Sequence, residues 1–477
     1  MPGLTIGSAF LAAAARVPAR PAIRFEGREI TYAELVHESG RAGAALRARC
    51  EPGDRVGIML PNRPEFLVAL LAIARAGLVA VPIPTGSTPR EVAHYVEDSG
   101  LRVVLSETEL NGLLTGASGC VEDEAKETDA FFIGYTSGTT GRPKGAVVSH
   151  RARTLLALLY GQEYGCYTPA DTHLITTPMY HGAGLSRALS PLLLGSAIEL
   201  HERFDPERVV CAIGSGGATA TYMVPTMFAA IFDLPPRLLD LGRGHLRTVL
   251  SNASALPEHL KLRILDQWPE VRLFEIYGST EAGTVTSLRP EDQLRKRRCV
   301  GLPLPLTEVR IVGEAGRDVA TGEVGRLYSR SPFQFEGYKG DPTATAEVML
   351  DGFLTSGDLA RRDDEGYVYI AGRASDVIIT GGVNVYPREV EEYLAELPGV
   401  REAAVIGLPD PHWGEAVHAY LVAQPGAPRL SREELRDHCR RGLAPAKIPK
   451  SFTFVETLPR TASGKVIRRE LMKTGEG

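Results

Sequence analysis

The 477-residue chain is poor in cysteine, nearly balanced in charge and without a long apolar run. Its six cysteines, at positions 50, 120, 166, 211, 299 and 439, form no C-x-x-C pair. That argues against a zinc ribbon, a thioredoxin-type motif and a secreted disulfide scaffold, and a reducing cytoplasm is the expected location. Lysine and arginine number 53 against 58 acidic residues, a formal charge of −5, so there is no electrostatic footprint for nucleic acid. No apolar run reaches the roughly 18 residues of a membrane span; the longest candidate, residues 66–74, ends at Arg75. Residues 1–15 are apolar but lack the basic residues that open a signal peptide. They read as an amphipathic helix ending near Arg16.

What is present describes a globular protein: 44% apolar and 23% charged residues, close to the usual balance. Fifty glycines and 33 prolines predict many turns and Gly-rich loops. At roughly 150 residues per domain the length predicts about three domains, or a large one and a small one. Short apolar strands alternate with helical stretches: strands over 55–60, 79–83 and 102–105, helices over 64–76 and 91–99. This alternation predicts parallel sheets faced by helices. Residues 110–128 read as a shortened loop. A change of character near 372–376 precedes about a hundred residues with their own strands (402–407, 418–422) and helix (432–441). The tail over 460–473 carries five basic residues and one acidic one.

The strongest local feature is YTSGTTGRPKG at 135–145, after a strand (131–134) and before a helix opening after Ser149. Its glycines, hydroxyls and lysine supply backbone N–H groups, side-chain donors and a cation, which is what a polyphosphate needs. It is not a Walker A loop, because G-x-x-x-x-G-K-[ST] is absent and Pro143 precedes Lys144. G-x-S-x-G and H-E-x-x-H are also absent.

With this loop the chain resembles the acyl-adenylate-forming superfamily of acyl- and aryl-CoA synthetases, adenylation domains and luciferase. Further segments match it in order: ITYAEL at 30–35, ARAGLVAVPIP at 74–84, PMYHGAG at 178–184, YGSTEAG at 277–283, TSGDLA at 355–360, GRASDVIITGGVNVYP at 372–387 and PRTASGK at 459–465. The resemblance implies ATP, Mg2+ and coenzyme A as cofactors and a small-molecule carboxylic acid as substrate. It implies that Thr136, Ser137, Gly138, Thr139, Thr140, Gly141 and Lys144 hold the β- and γ-phosphates, with Gly278 and Ser279 also beside the nucleotide. Glu281 would be the magnesium carboxylate, Thr280 would contact the α-phosphate and Tyr277 would stack on adenine. Asp358 would accept hydrogen bonds from the ribose hydroxyls, a task for an acceptor-only carboxylate, and Arg373 would contact ribose or phosphate. Lys465 would reach the α-phosphate and the acid's carboxylate, a mobile point charge on a long stem. Each side chain also has a plainer reading: salt-bridged Glu281, turn-capping Asp358, interdomain Arg373, loop Lys465 and core His181.

His181 stands where amino-acid-activating members carry an aspartate, so the resemblance implies a plain carboxylic acid, with His181 bordering its pocket. Tyr222, Ala253, Gly278 and Gly283 complete that pocket, and the small residues at 253, 278 and 283 imply room for a bulky or ring-bearing acid. Gly381 and Gly382 would border a pantetheine arm after the C-terminal domain rotates. The usual hinge Asp or Lys is replaced by Ser375, followed by Asp376.

The expected architecture is α/β: a large N-terminal domain (1–373) of parallel-rich sheets packed with helices, a hinge (374–376) and a small mobile α+β lid (377–477). The expected activity is ATP-dependent acid–CoA ligation through an acyl-AMP. Alternatives are loading of a carrier-protein phosphopantetheine and a non-catalytic ATP or acyl-AMP sensor or scaffold.

Overall fold

A computed structural model describes residues 3–116, 119–136, 143–428, 430–461 and 464–474. Local sequence signals set the helix starts. Thr31, Thr88 and Ser431 each accept a hydrogen bond from the backbone N–H of a glutamate three residues on, and that glutamate reaches back to the cap. These capping boxes satisfy backbone donors that a helix leaves unpaired. The longest apolar run becomes the helix Pro64–Arg75, in which every residue but Glu65 is buried. A helix apolar all round belongs in a core. Among the described residues no helix is long and apolar enough to cross a membrane. The N-terminal segment forms the helix Ile6–Arg16, and residues 110–116, the front of the expected loop, lie in the helix Glu107–Gly116.

Two sheets carry the parallel pattern that the alternation predicts. In a nine-stranded sheet, Thr172–Ile175, Ala197–Leu200, Ala220–Met223, Thr248–Ser251 and Arg272–Ser279 pair in parallel. In a six-stranded sheet, Arg55–Ile58, Val79–Pro82, Leu101–Leu105 and Ala130–Thr136 do the same. One hydrophobic core, including Phe10, Leu35, Phe66, Phe132 and Ile198, joins the helices to both sheets.

The third sheet departs from the parallel expectation. Its strands, among them Glu308–Val312, Gly325–Arg330, Asp358–Arg362 and Val368–Arg373, pair antiparallel throughout. Short Gly-containing turns such as the one at Gly366 join neighbours directly, with no room for the crossover that parallel pairing needs. The last of these pairings sets Asp358 opposite Arg373.

After the short turn Ala374–Asp376 a fourth sheet begins at Ile378. The long hairpin Val400–Asp410 and Gly414–Ala423 is its centre. Helices Pro387–Leu394 and Arg432–Gly442 cover it around a separate core that includes Val390, Val417, Leu435 and Phe452. The two bodies meet through Arg401–Asp233 at 2.8 Å and through Arg298, which pairs with Glu392 and Glu396.

Arg75 closes the central helix and is almost fully buried. It donates to Glu122 O (2.8 Å), Val36 O (2.6 Å), Ser39 Oγ (2.7 Å) and Val121 O. Arg75→Leu leaves these buried acceptors without their donor, at about 3 kcal/mol or more in total. The expected result is a clearly lower urea midpoint for the N-terminal body.

Candidate active site

The site forms where the parallel strands end. Ala253 lies just beyond Thr248–Ser251, and the YGSTEAG segment ends the neighbouring strand Arg272–Ser279. Open α/β sheets bind ligands at such carboxyl ends. Thr280 fits against two glycines: a Cβ on Gly134 would stand 2.9 Å from Thr280 Cγ2, and one on Gly182 would stand 3.1 Å from its Oγ1. The missing side chains therefore let the six-stranded sheet and the helix Gly182–Leu194 close on this threonine.

Glu281 Oε1 accepts from Thr136 Oγ1 at 3.1 Å and from Tyr338 Oη at 3.0 Å. Burial and the neighbouring Glu281 raise the Tyr338 pKa, so the phenol stays a donor. Lys144 Nζ lies 5.3 Å from the centre of the Tyr338 ring. Among the described residues no lysine or arginine pairs with Glu281, and no group of three or more metal-ligating side chains gathers. A lone carboxylate held by hydroxyl donors fits magnesium, which takes one or two protein carboxylates and completes its shell with phosphate and water.

Asp358 is buried. Its Oδ2 accepts from Tyr277 Oη (2.6 Å) and Ser356 Oγ (2.7 Å), and its Oδ1 stands 3.6 Å from Arg373 Nε. A carboxylate has about four acceptor positions, so acceptor capacity remains for a diol. The phenol bond fixes the Tyr277 ring in place.

Lys465 arrives from the other body. Its loop closes through Thr461 N–H to Lys465 O (2.8 Å), Lys465 N–H to Thr461 Oγ1 (3.1 Å) and Arg460 Nη1 to Gly464 O (2.6 Å). Gly464 has φ +85°, where a side chain would be strained. A Cβ there would come within 3.3 Å of Thr226 Oγ1, so the loop abuts the N-terminal body. A cleft of about 280 Å3 opens between Val224, Thr226 and Met227 on one side and Arg460, Thr461 and Gly464 on the other. The Lys465 side chain is open to water but closely surrounded by protein. This enclosure and then Arg373 hold its pKa below the ordinary 10.5, against the pull of Asp358 and Glu281. His181, at the start of the helix Gly182–Leu194, has its pKa lowered by burial and then by Lys465, and its buried Nε2 has no partner. A neutral imidazole is therefore present at pH 7.

The structure thus gathers Thr136, Lys144, His181, Tyr277, Thr280, Glu281, Asp358, Arg373 and Lys465. Ser279 caps the turn, its Oγ accepting from Ala282 N–H at 3.0 Å. Ser137, Gly138, Thr139, Thr140 and Gly141 lie outside the described residues. Gly381 and Gly382 form an exposed hairpin turn with positive φ. Tyr222 is buried beside the helices that follow the phosphate loop.

A Cβ on Gly278 would lie 2.1 Å from Gly283 O, and Gly283 has φ +68°. Both glycines permit the close crossing of two backbone segments. Ala253, with φ +74°, is a non-glycine held in the left-handed region, a strain common at functional sites. Tyr338 and Ser356 were not singled out from sequence; their roles depend on contacts to residues 57 and 79 positions away.

The chain matches the AMP-binding enzyme family over residues 10–339 and the AMP-binding enzyme C-terminal domain over 389–465. It is 37% identical to feruloyl-CoA synthase from an Amycolatopsis species, over 96% of each chain. It is 32% identical to the fatty acid–[acyl-carrier-protein] ligase ScoC of Streptomyces coeruleorubidus, over 95% of this chain and 93% of that one. Among solved structures, o-succinylbenzoate CoA synthetase (MenE) from Bacillus subtilis superposes with a TM-score of 0.86 at 31% identity, both with the acyl-adenylate OSB-AMP (97% of each chain) and with ATP and magnesium (98% of this chain, 99% of that one). A chain so similar to these proteins over nearly its whole length belongs to the AMP-binding enzyme family, as an AMP-forming acyl-CoA synthetase that uses ATP, Mg2+ and CoA.

Proposed function

We propose that this enzyme activates an aryl or aryl-alkyl carboxylic acid as its acyl-AMP and then passes the acyl group to the CoA thiol in the same cleft. The observation that carries this reading is the meeting of Lys465 with His181, Glu281, Asp358 and Arg373, which brings charges from both bodies to one point. The aryl preference draws on the feruloyl-CoA and o-succinylbenzoate relatives.

Attack of a carboxylate on the α-phosphorus of ATP brings two anions together and expels pyrophosphate, so catalysis is positioning and charge stabilisation. Lys465 neutralises charge between the carboxylate and the α-phosphate. Thr280 donates to the α-phosphate, and Thr136 and Lys144 hold the distal phosphates with the loop at 137–141. Tyr277 and Asp358 hold the adenosine, and Arg373 steadies ribose or phosphate. Magnesium, when bound at Glu281, would neutralise phosphate charge and orient the oxygens. His181 borders the acid without offering it a charge, which fits an acid lacking an α-ammonium group.

For the second half-reaction the body beyond the hinge at 374–376 rotates, withdraws Lys465 and brings the exposed Gly381–Gly382 turn to the cleft. Ser375 is exposed, and its Oγ donates to Asp376 Oδ1 at 3.0 Å, while Arg468 ties Asp376 at 3.2 Å. Pyrophosphate release across a panel of aryl and aliphatic acids tests the reading, with CoA or a holo carrier protein supplied and the thioester weighed by mass spectrometry. Aryl acids are expected to turn over fastest, with thioester on CoA. Thioester on the carrier protein alone would assign the enzyme to carrier loading instead.

The lowered Lys465 pKa gives a pH prediction. The protonated amine is the active form, so adenylation is lost as pH rises through a value below 10.5. Lys465→Arg keeps its charge throughout this range, and any residual activity of this variant should lose that alkaline limb. A pH–rate profile of adenylation measures both.

A further inference from the structure

Two arginines on neighbouring helices are buried where no carboxylate meets them. Arg187, on Gly182–Leu194, is 3% exposed, and Arg153, on His150–Tyr164, is 5% exposed. Among the described residues neither forms an ion pair. The one hydrogen bond of Arg187 runs from Nη1 to Tyr167 Oη, at a long 3.4 Å. Its guanidinium lies 3.9 Å from the ring centre of Tyr160, 5.4 Å from that of Tyr164 and 5.5 Å from that of Tyr222. Arg153 Nη1 donates to Ser186 Oγ at 3.3 Å, and its Nε has no acceptor. Ring faces return about 0.5–2 kcal/mol each, whereas burying an ion costs several kcal/mol. Other buried cations here are answered in full: Lys261 pairs with Glu275 at 2.7 Å and Lys296 with Asp363 at 2.7 Å. The deficit is local to Arg153 and Arg187.

Its place is the acid side of the cleft. Gly182 touches Thr280, and Arg187 lies five residues further along the same helix, about 7.5 Å at 1.5 Å per residue. Tyr160 Oη shares a 2.7 Å hydrogen bond with Thr284 Oγ1, and Thr284 pairs with Gly278 in the strand behind the adenylate segment. Tyr222 supplies the sheet wall. The guanidinium thus faces Tyr160, which is tied to the strand behind the adenylate segment, and Tyr222 on the sheet.

We propose that Arg187 binds a second carboxylate, at the end of the acid remote from the one that is adenylated, and so makes the enzyme specific for aryl dicarboxylic acids. Arg153 adds positive potential from the neighbouring helix, and the tyrosine hydroxyls supply further donors. A neutral phenol or ether supplies no countercharge; a carboxylate balances Arg187, and its two oxygens match the guanidinium fork. This inference rests on the reading of the cleft as an acid-adenylating site.

The test compares kcat/KM for pyrophosphate release with matched pairs: isophthalic, terephthalic and 4-carboxycinnamic acids against their monomethyl esters. The wild-type enzyme is expected to prefer at least one diacid over its half-ester by about 100-fold. In Arg187→Met that ratio should fall to near one, chiefly through KM of the diacid, with partial recovery in Arg187→Lys. The wild-type ratio stands even if Arg187→Met does not fold. Turnover of the half-esters or unsubstituted acids with no preference for any diacid would overturn the inference and leave the ligase reading intact. No pyrophosphate release with any acid would overturn both.

Discussion

Lys465→Ala is expected to lower acid-dependent ATP–pyrophosphate exchange by about 100- to 1000-fold, the cost of removing one preorganised charge or donor from a transition state. The loop is held by backbone bonds at Thr461, Gly464 and Lys465 rather than by the lysine side chain, so the melting temperature should stay unchanged. Transfer to CoA from acyl-AMP supplied ready-made should fall far less, because the proposed rotation withdraws Lys465 for that step. Exchange at the wild-type rate in the variant would remove Lys465 from the chemistry. An equal loss in both half-reactions would instead show a role in holding the adenylate.

Glu281→Gln is expected to cost about 100-fold or more in adenylation rate and to raise the magnesium concentration needed for half-maximal activity. The amide keeps an oxygen for Thr136 and Tyr338, so packing survives and only the charge is lost. That charge is several kcal/mol of metal-assisted stabilisation. Tyr338→Phe separates the two effects. It removes one hydrogen bond to Glu281 but leaves the carboxylate, and about a tenfold loss is expected. A magnesium titration of pyrophosphate release distinguishes these outcomes: an unchanged magnesium requirement in Glu281→Gln would place the ion elsewhere.

Much of this fold is local and was therefore legible. The apolar run at 66–74 and the strand–helix alternation over 55–105 announce their elements within a few residues. The antiparallel third sheet was not legible, because apolar alternation does not state which neighbour a strand will choose. The site divides in the same way. Asp358, Glu281 and Lys465 sit inside recognisable segments. Tyr338 and Ser356 earn their roles only through contacts formed by folding, and Arg187 looks like any helical arginine until its missing partner is seen. Gly278 marks the limit of reading residue size: its lack of a side chain makes way for the carbonyl of Gly283, a contact the sequence does not show.

The central claim is that one cleft makes a free acyl-adenylate and then a CoA thioester. The most direct test mixes the enzyme with ATP, magnesium and a substrate acid in the absence of CoA, quenches within a single turnover and weighs the products. Acyl-AMP and pyrophosphate should appear in equal amounts, and CoA added afterwards should convert the adenylate to thioester and AMP. Formation of ADP and phosphate, or the absence of any adenylate until CoA is present, would contradict it.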